Sequence, residues 1–279
     1  MIVFNKKKEL KKHLSTLSKD NTIGFTPTMG SLHEGHLSLI KKSKGDCNLS
    51  ICSVFVNPTQ FNDKNDYLSY PKNIEDDLSL LREMQCNIVY VPSITDVYPK
   101  NKEKKQYDFN GLDVFLEGKH RAGHFNGVAT IVEELFQIIE PNYAYFGEKD
   151  LQQLCIIKQL VKNKNINTKI IGCPTIREKN GLAKSSRNKL LSQDDFEYCS
   201  IIYQQLTLCK KHFKKKSFTE LKKQIVERLT KEDRIEIEYF EFVDIKTLKP
   251  QHTSNSKTKY AACIAVNISG VRLIDNIIL

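Results

Sequence analysis

The chain has 279 residues, enough for one large or two medium domains with real cores. Its composition, 40% hydrophobic and 27% charged, is that of an ordinary globular protein. No apolar run approaches the ~20 residues of a membrane span, and Met1-Ile2-Val3-Phe4-Asn5 leads straight into lysines, so neither membrane nor signal peptide is expected and the cytoplasm is the expected compartment. The formal net charge of +10 raises nucleic acid as a partner. Against that, the lysines are spread along the chain, with clusters at residues 6–8, 100–105 and 210–216 that lack the repeated aromatic–basic interleaving of single-strand binders. A solvated basic face, attractive to anionic small molecules, is the expectation.

Ile23-Gly24-Phe25 reads as a strand, and Leu37-Ser38-Leu39-Ile40-Lys41-Lys42 has the spacing of an amphipathic helix. Between them runs Thr26-Pro27-Thr28-Met29-Gly30-Ser31-Leu32-His33-Glu34-Gly35-His36. A strand feeding a helix N-terminus through such a turn is an anion site, because free backbone N–H groups and the helix dipole point at the turn. Gly30 and Gly35 permit close backbone approach. His33 and His36, three apart, project from one side of a first helical turn. Two imidazoles there suit a triphosphate and the charge that develops on it; a metal site or two polar loop histidines are the alternatives.

Residues 48–56 read as a nearly continuous buried strand, followed by Asn57-Pro58-Thr59-Gln60-Phe61. The amides of Asn57 and Gln60 both donate and accept, which suits a substrate with hydroxyl and carboxylate groups, or simply a turn at a strand end. Tyr70-Pro71-Lys72-Asn73-Ile74-Glu75-Asp76-Asp77 opens a helix over residues 74–84, with Asn73 as N-cap. The acids that follow complement the helix dipole, or Asp76 and Asp77 hold the Mg²⁺ that accompanies a nucleotide. A strand at residues 88–91 ends at Pro92, and apolar positions from Val128 to Ile139 mark a helix over residues 125–139 that Pro141 closes. Tyr143-Ala144-Tyr145-Phe146 is a strand, residues 151–161 a helix and residues 168–173 a further strand. In the intervening turn, Gly147-Glu148-Lys149-Asp150-Leu151-Gln152-Gln153, a lysine can reach a phosphate and Asp150 can accept from ribose hydroxyls. Strands alternating with helices of this length predict βαβ units and a parallel sheet, with the motif turns at the carboxyl ends where ligands sit.

Beyond Thr175-Ile176-Arg177-Glu178-Lys179-Asn180-Gly181 the rhythm changes. Lys184-Ser185-Ser186-Arg187-Asn188 forms either a clamp over a triphosphate or a polar interdomain turn. Two lysine-rich helices are predicted over residues 193–213 and 217–231, the second opened by a Ser217–Glu220 capping box. A strand over residues 235–245 and a closing pair at 260–268 and 271–275 complete a smaller α+β domain. The expected fold is thus α/β: a Rossmann-like parallel-sheet domain over residues 1–175 and a smaller α+β lid domain over residues 176–279. The eight cysteines include no C-x-x-C pair and several sit in apolar patterns, so free, mostly buried thiols are expected rather than disulfides or zinc ligands.

His33-Glu34-Gly35-His36 resembles the His-x-Gly-His signature of nucleotidyltransferases. Together with Pro27-Thr28-Met29-Gly30, Phe55-Val56-Asn57-Pro58, Tyr70-Pro71, Gly123-His124-Phe125, the Gly147 to Gln153 turn and Ser185-Ser186-Arg187-Asn188, it resembles the pantothenate synthetase (pantoate–β-alanine ligase) family from about residue 22 to the C-terminus. The resemblance implies ATP as substrate with Mg²⁺, attack of pantoate on the α-phosphate to give pantoyl adenylate, and capture of the adenylate by β-alanine. It implies that Met29, Gly30, Ser31, Leu32, His33, Glu34, Gly35 and His36 line the ATP site with Gly147, Glu148, Lys149, Asp150, Ile176, Lys184, Ser185, Ser186 and Arg187. His36, His33 and Lys149 would be catalytic, with His36 the proton donor, and Gln60, Gln153 and Asn57 would hold substrate. Asp76 and Asp77 are the weaker metal candidates, and His120, Arg121 and His124 take a local structural role. The family is typically a homodimer, and the apolar strand at residues 48–56 is a candidate for its interface. Two positions depart from the family pattern: Lys184 replaces a methionine or other apolar residue, and Ile176 a valine. The runner-up is a related adenylyltransferase using a phosphate acceptor or a different acid: Gln60 and Gln153 favour a neutral hydroxy-acid pocket, where a phosphate acceptor would want additional arginines. For an RNA-binding relic, the sequence shows no anticodon-binding domain or basic helix with interleaved aromatics.

Overall fold

The computed structural model describes residues 1–18, 20–62, 64–98 and 105–279, so the lysine cluster at residues 100–105 lies, except for Lys105, outside the described residues. The chain runs β1 (Ile2–Phe4), α1 (Lys7–Ser15), β2 (Ile23–Thr28), α2 (Glu34–Asp46), β3 (Leu49–Val54), α3 (Lys64–Ser69), α4 (Ile74–Glu83) and β4 (Ile88–Tyr90). Then follow α5 (Ile94–Val97), α6 (Leu116–His120), α7 (His124–Ile139), β5 (Tyr143–Gly147), α8 (Leu151–Asn163) and β6 (Lys169–Cys173). The remainder is α9 (Gln193–Tyr198), α10 (Ser200–His212), α11 (Phe218–Leu229), β7 (Ile235–Asp244), β8 (Tyr260–Ile268) and β9 (Val271–Ile278). It divides into two compact units: Met1–Asn110, Arg121–Glu148 and Gln153–Pro174 form the first, and Gly111–His120, Lys149–Gln152 and Thr175–Leu279 the second. Two segments from the first 175 residues therefore fold with the C-terminal part.

The first unit is built on a six-stranded sheet in the order β1-β4-β3-β2-β5-β6, every neighbouring pair parallel. Its four central strands, β4, β3, β2 and β5, are largely buried on both faces, as continuous rather than alternating runs are. This accounts for the apolar character of β3, which lies between β4 and β2 with all but its first residue buried, without recourse to an interface. α7 is buried nearly all round, and its two buried acids are paired: Glu133 with Lys105 and Tyr107 at 2.7 and 2.6 Å, Glu134 with Lys7 at 2.7 Å. It ends at Glu140 in the left-handed conformation (φ 51°), just ahead of Pro141.

The second unit is an antiparallel sheet, β7-β8-β9, with α10 and α11 packed on it. Phe218 on α11 stacks on Phe242 of β7 with ring centroids 4.4 Å apart, and Tyr260 meets Phe218 edge-on. The predicted capping box forms as Ser217–Glu220. The single helix predicted over residues 193–213 is instead two, broken at Cys199, whose side chain is fully buried at the junction. β9 runs to Ile278, past the Asp275 end expected. In the same unit, Glu117 of α6 receives two hydrogen bonds from Arg272 of β9, both 2.8 Å, and one from Tyr239 of β7 at 2.7 Å, fastening α6 to the sheet.

Candidate active site

In the parallel sheet the chain builds outward from β2 through β3 to β4 on one side, then crosses to place β5 and β6 on the other. Strand order therefore reverses between β2 and β5, and ligands in such sheets bind beyond the carboxyl ends of the strands at that point. The turn after β2 sits there. Gly30 (φ 79°) and Ser31 (φ 50°) adopt successive left-handed conformations, and a Cβ on Gly30 would lie 2.8 Å from Asp77 Oδ2. The strained turn is held by Asp77, only 3% exposed, whose two carboxylate oxygens accept from the Ser31 and Leu32 backbone N–H groups at 2.9 and 2.7 Å. Gly30 N–H donates to Thr28 Oγ1 at 3.3 Å, and Thr28 in turn donates to the Ser53 carbonyl at 2.7 Å.

The histidines take over the start of α2. His33 is its N-cap, in extended conformation, and its Nδ1 accepts from Gly35 N–H at 3.1 Å. His36 is the third helical residue, and its Nδ1 accepts from His33 N–H at 3.4 Å. The two form a reciprocal capping box, with ring centroids 4.1 Å apart. The backbone N–H groups of Gly30, Ser31, Leu32, His33 and Gly35 are thus bonded inside the protein, two of them to the Asp77 carboxylate, and the expectation of free N–H groups at this turn is corrected. Because each Nδ1 accepts, the proton of each neutral ring resides on Nε2, on the side of the ring away from the backbone. Each imidazole thus receives a bond from a backbone N–H at the positive end of the helix. Glu34 is exposed beside them.

After β3, Asn57 organises the turn that carries Gln60. Its Oδ1 accepts from the N–H and hydroxyl of Thr59 at 3.3 and 3.0 Å and from Tyr98 at 2.9 Å. Its Nδ2 donates to Gln60 Oε1 at 3.2 Å and to the Gly127 carbonyl at 3.1 Å. Burial pushes the Tyr98 hydroxyl up to about 12, which keeps it protonated as a donor. Gln60 is 8% exposed and its Nε2 lies 2.6 Å from Met29 Sδ, bringing the turns after β2 and β3 together. His124 Nδ1 bonds the Gln60 carbonyl at 2.8 Å, and Gly127 allows α7 to pack this closely, since a Cβ there would sit 2.2 Å from the Thr59 carbonyl. His124 is therefore structural in the sense expected, and its contact reaches the Gln60 turn.

Asp76 and Asp77 do not fit a shared cation. Both oxygens of Asp77 are committed to the Ser31–Leu32 backbone, while Asp76 is exposed and bonded to Asn73, whose Nδ2 lies 2.5 Å from Asp76 Oδ2. Asn73 caps α4 as predicted, accepting from Asp76 N–H at 3.3 Å. Among the described residues no group of three or more His, Cys, Asp or Glu side chains converges as a metal site.

At the carboxyl end of β5, Gly147 and Glu148 lead into a 3₁₀ turn, with the Glu148 side chain lying along Gly172 of β6. In the second unit, Lys149 Nζ is 3.6 Å from Asp150 Oδ1, and the Lys149 carbonyl accepts from Asn276 Nδ2 at 2.7 Å. Gln152 is spent on structure, donating to the Leu112 and Phe115 carbonyls at 2.7 and 2.8 Å; Gln153, next to it on α8, is half-buried. The Ile176 carbonyl accepts from Lys184 N–H at 2.9 Å, closing a short hairpin, and Lys184 Nζ pairs with Glu178 at 2.7 Å. Ser185 caps a 3₁₀ turn by accepting from Arg187 N–H at 3.3 Å, with Ser186 buried behind it. Arg177, for which the sequence held no signal, grips Asp275 of β9 through two bonds of 2.5 and 3.0 Å and lies over the Tyr203 ring at 3.8 Å. None of the eight cysteines is in a disulfide, and burial pushes the thiols of Cys199 and Cys209 up to about 12.

A family model described as pantoate-beta-alanine ligase matches residues 2–278. The chain is 45% identical over 279 residues to a pantothenate synthetase of Flavobacterium psychrophilum, covering 99% of each. Its structure is similar to the crystal structure of pantothenate synthetase from Thermus thermophilus, with a TM-score of 0.91, 34% identity and 99% of each chain covered. It is also similar to pantoate-beta-alanine ligase from Francisella tularensis complexed with beta-gamma ATP and beta-alanine, with a TM-score of 0.81 and 40% identity over 99% of this chain and 97% of that one. With a full-length family match and relatives well above 30% identity, the chain belongs to the pantoate–β-alanine ligase family.

Proposed function

We propose that this protein condenses pantoate with β-alanine, converting ATP to AMP and pyrophosphate. A carboxylate is inert to amines until one of its oxygens leaves easily. In the first step a pantoate carboxylate oxygen bonds to the α-phosphorus, the bond from that phosphorus to the β-phosphate oxygen breaks, and pyrophosphate leaves. In the second, the β-alanine nitrogen bonds to the acyl carbon, AMP leaves and the amine sheds its proton. The protein's share is positioning and stabilisation of charge growing on phosphate oxygens. The observation that carries this reading is the pair of imidazole caps at the start of α2, at the sheet's switch point.

His33, His36 and Lys149 are assigned to phosphate charge. Met29 to Leu32, Glu34, Gly35, Gly147, Glu148, Asp150, Ile176 and Ser185 to Arg187 are assigned to the remainder of ATP. Gln60, held by Asn57, together with Gln153, is assigned to pantoate. Any Mg²⁺ that travels with ATP has no carboxylate pair waiting for it at Asp76 and Asp77, and no step is routed through it. The homodimer that membership of the family implies and a cytoplasmic location belong to the same proposal; eight thiols outside any disulfide support the latter. Purified protein should release AMP from ATP only when pantoate and β-alanine are both supplied in multiple turnover. AMP release of equal rate without pantoate, or none with both substrates, would overturn the assignment.

Lys184 is answered by its partner. With its ammonium 2.7 Å from Glu178, the charge is neutralised within its own hairpin and the stem packs there, so it is not assigned to phosphate. Lys184→Met should leave kcat/KM for ATP within about threefold, roughly 0.7 kcal/mol. A tenfold or greater loss in steady-state assays, with KM for pantoate unchanged, would mark the lysine as a phosphate ligand.

A further inference from the structure

Asp275 and Asn276 are adjacent polar residues on β9, 4% and 7% exposed, and neither belongs to the substrate-binding set. They pair across the antiparallel ladder with Ile264 and Cys263, so strand geometry alone gives no reason for a carboxylate and an amide here. Buried polar groups persist where their hydrogen bonds are made, and these bonds run to two loops. Asn276 donates from Nδ2 to the Lys149 carbonyl at 2.7 Å. Asp275 holds Arg177, which also donates to the carbonyls of Asn276 and Gly181 at 3.3 and 3.1 Å. Burial raises the Asp275 pKa, and Arg177 and Lys149 oppose that rise. Gly181 (φ 94°) packs against the Tyr203 ring, where a Cβ would come within 2.7 Å, so the far end of the hairpin is fixed as well.

We propose that Asn276 is a positioning residue for Lys149, setting the main chain from which the lysine extends, and that the Asp275–Arg177 pair beside it anchors the hairpin between Ile176 and Lys184 from the same strand. One rigid strand end then carries both loops in fixed register. This rests on the assignment of Lys149 to the phosphates. A side chain that holds a carbonyl acts only through where that residue's side chain goes, so its effect on chemistry must vanish when the lysine is gone.

The test is a double-mutant cycle read in single-turnover adenylate formation and in kcat/KM for ATP. Asn276→Ala should lower both at least tenfold in the otherwise unaltered enzyme, and less than twofold in a Lys149→Ala background, while the fall in Tm is the same in the two backgrounds. Asn276→Asp, which keeps the volume but sets a carboxylate oxygen against the Lys149 carbonyl, should repeat the pattern. Equal losses in both backgrounds would overturn the proposal, as would failure of both variants to fold, since either makes the contact a matter of general stability. A Lys149→Ala enzyme as fast as its parent would overturn the assignment of the lysine itself, and the positioning role with it.

Discussion

His36→Gln is expected to slow adenylate formation about 10²–10³-fold, equivalent to about 3–4 kcal/mol of barrier, the usual cost of removing one donor aimed at developing charge in a dry site. Glutamine is chosen because the third helical residue of a capping box is normally Glu or Gln, whose side chain reaches back to the N-cap N–H. The bond that His36 Nδ1 now accepts from His33 N–H can therefore be kept while the outward Nε2–H is lost. Stability should change by less than about 1 kcal/mol, the scale of a whole cap. His33→Asn is the companion, since asparagine is a favoured N-cap that can still accept from the Gly35 N–H but has no imidazole to carry a proton beyond it. Quenched-flow measurement of pantoyl adenylate under single-turnover conditions separates the two effects. A glutamine variant that forms adenylate at near-parental rate would leave His36 as a helix cap and nothing more.

Asp77→Ala should be the most damaging substitution for folding among the site residues. It removes a buried carboxylate that accepts two backbone hydrogen bonds, leaving the Ser31 and Leu32 N–H groups to find other partners next to two left-handed residues. Hydrogen bonds to charged groups contribute about 1.5–3 kcal/mol each, and an orphaned buried donor costs about 1–3 kcal/mol. A loss of roughly 3–5 kcal/mol is expected, read from urea unfolding as a lower midpoint at unchanged slope. Asp77→Asn retains one acceptor and turns an NH₂ group against the other N–H, so its loss should fall between. A loss below about 0.5 kcal/mol for the alanine variant would mean that the turn holds its shape without the carboxylate.

The parallel sheet was legible because its strands are short continuous apolar runs, such as Ile51-Cys52-Ser53-Val54, between helices such as α4 with its readable cap at Asn73; the cap at Ser217 did the same for α11 on the antiparallel sheet. β1 and α1 were not, because a three-residue edge strand followed by a lysine-rich helix with only Leu10 buried leaves too weak a periodic pattern. The break at Cys199 escaped because cysteine carries no helix-stop signal. Within the site, the three-residue spacing of His33 and His36 placed both rings together, but not that their Nδ1 atoms would cap α2. Asp77 looked like a metal candidate because its local context is a run of acids at a helix start. Its partners are 45 and 46 residues away in sequence, and no local rule exposes such a pairing. Longer separations, 98 residues between Arg177 and Asp275 and 127 between Lys149 and Asn276, hid those pairings.

The internal carboxylate at Asp77 has a kinetic meaning. A loop that must organise around each incoming nucleotide loses roughly 1–2 kcal/mol of backbone entropy per ordered residue every time it binds. Here an anion that never leaves already occupies the cradle of amides, so the ordering of the turn after β2 is completed once, when the chain folds, rather than once per catalytic cycle. Product departure then leaves the turn as it found it. Amide exchange at Ser31 and Leu32 should accordingly be slow in the empty enzyme and little altered by saturating ATP, the signature of a receptor whose shape precedes its guest.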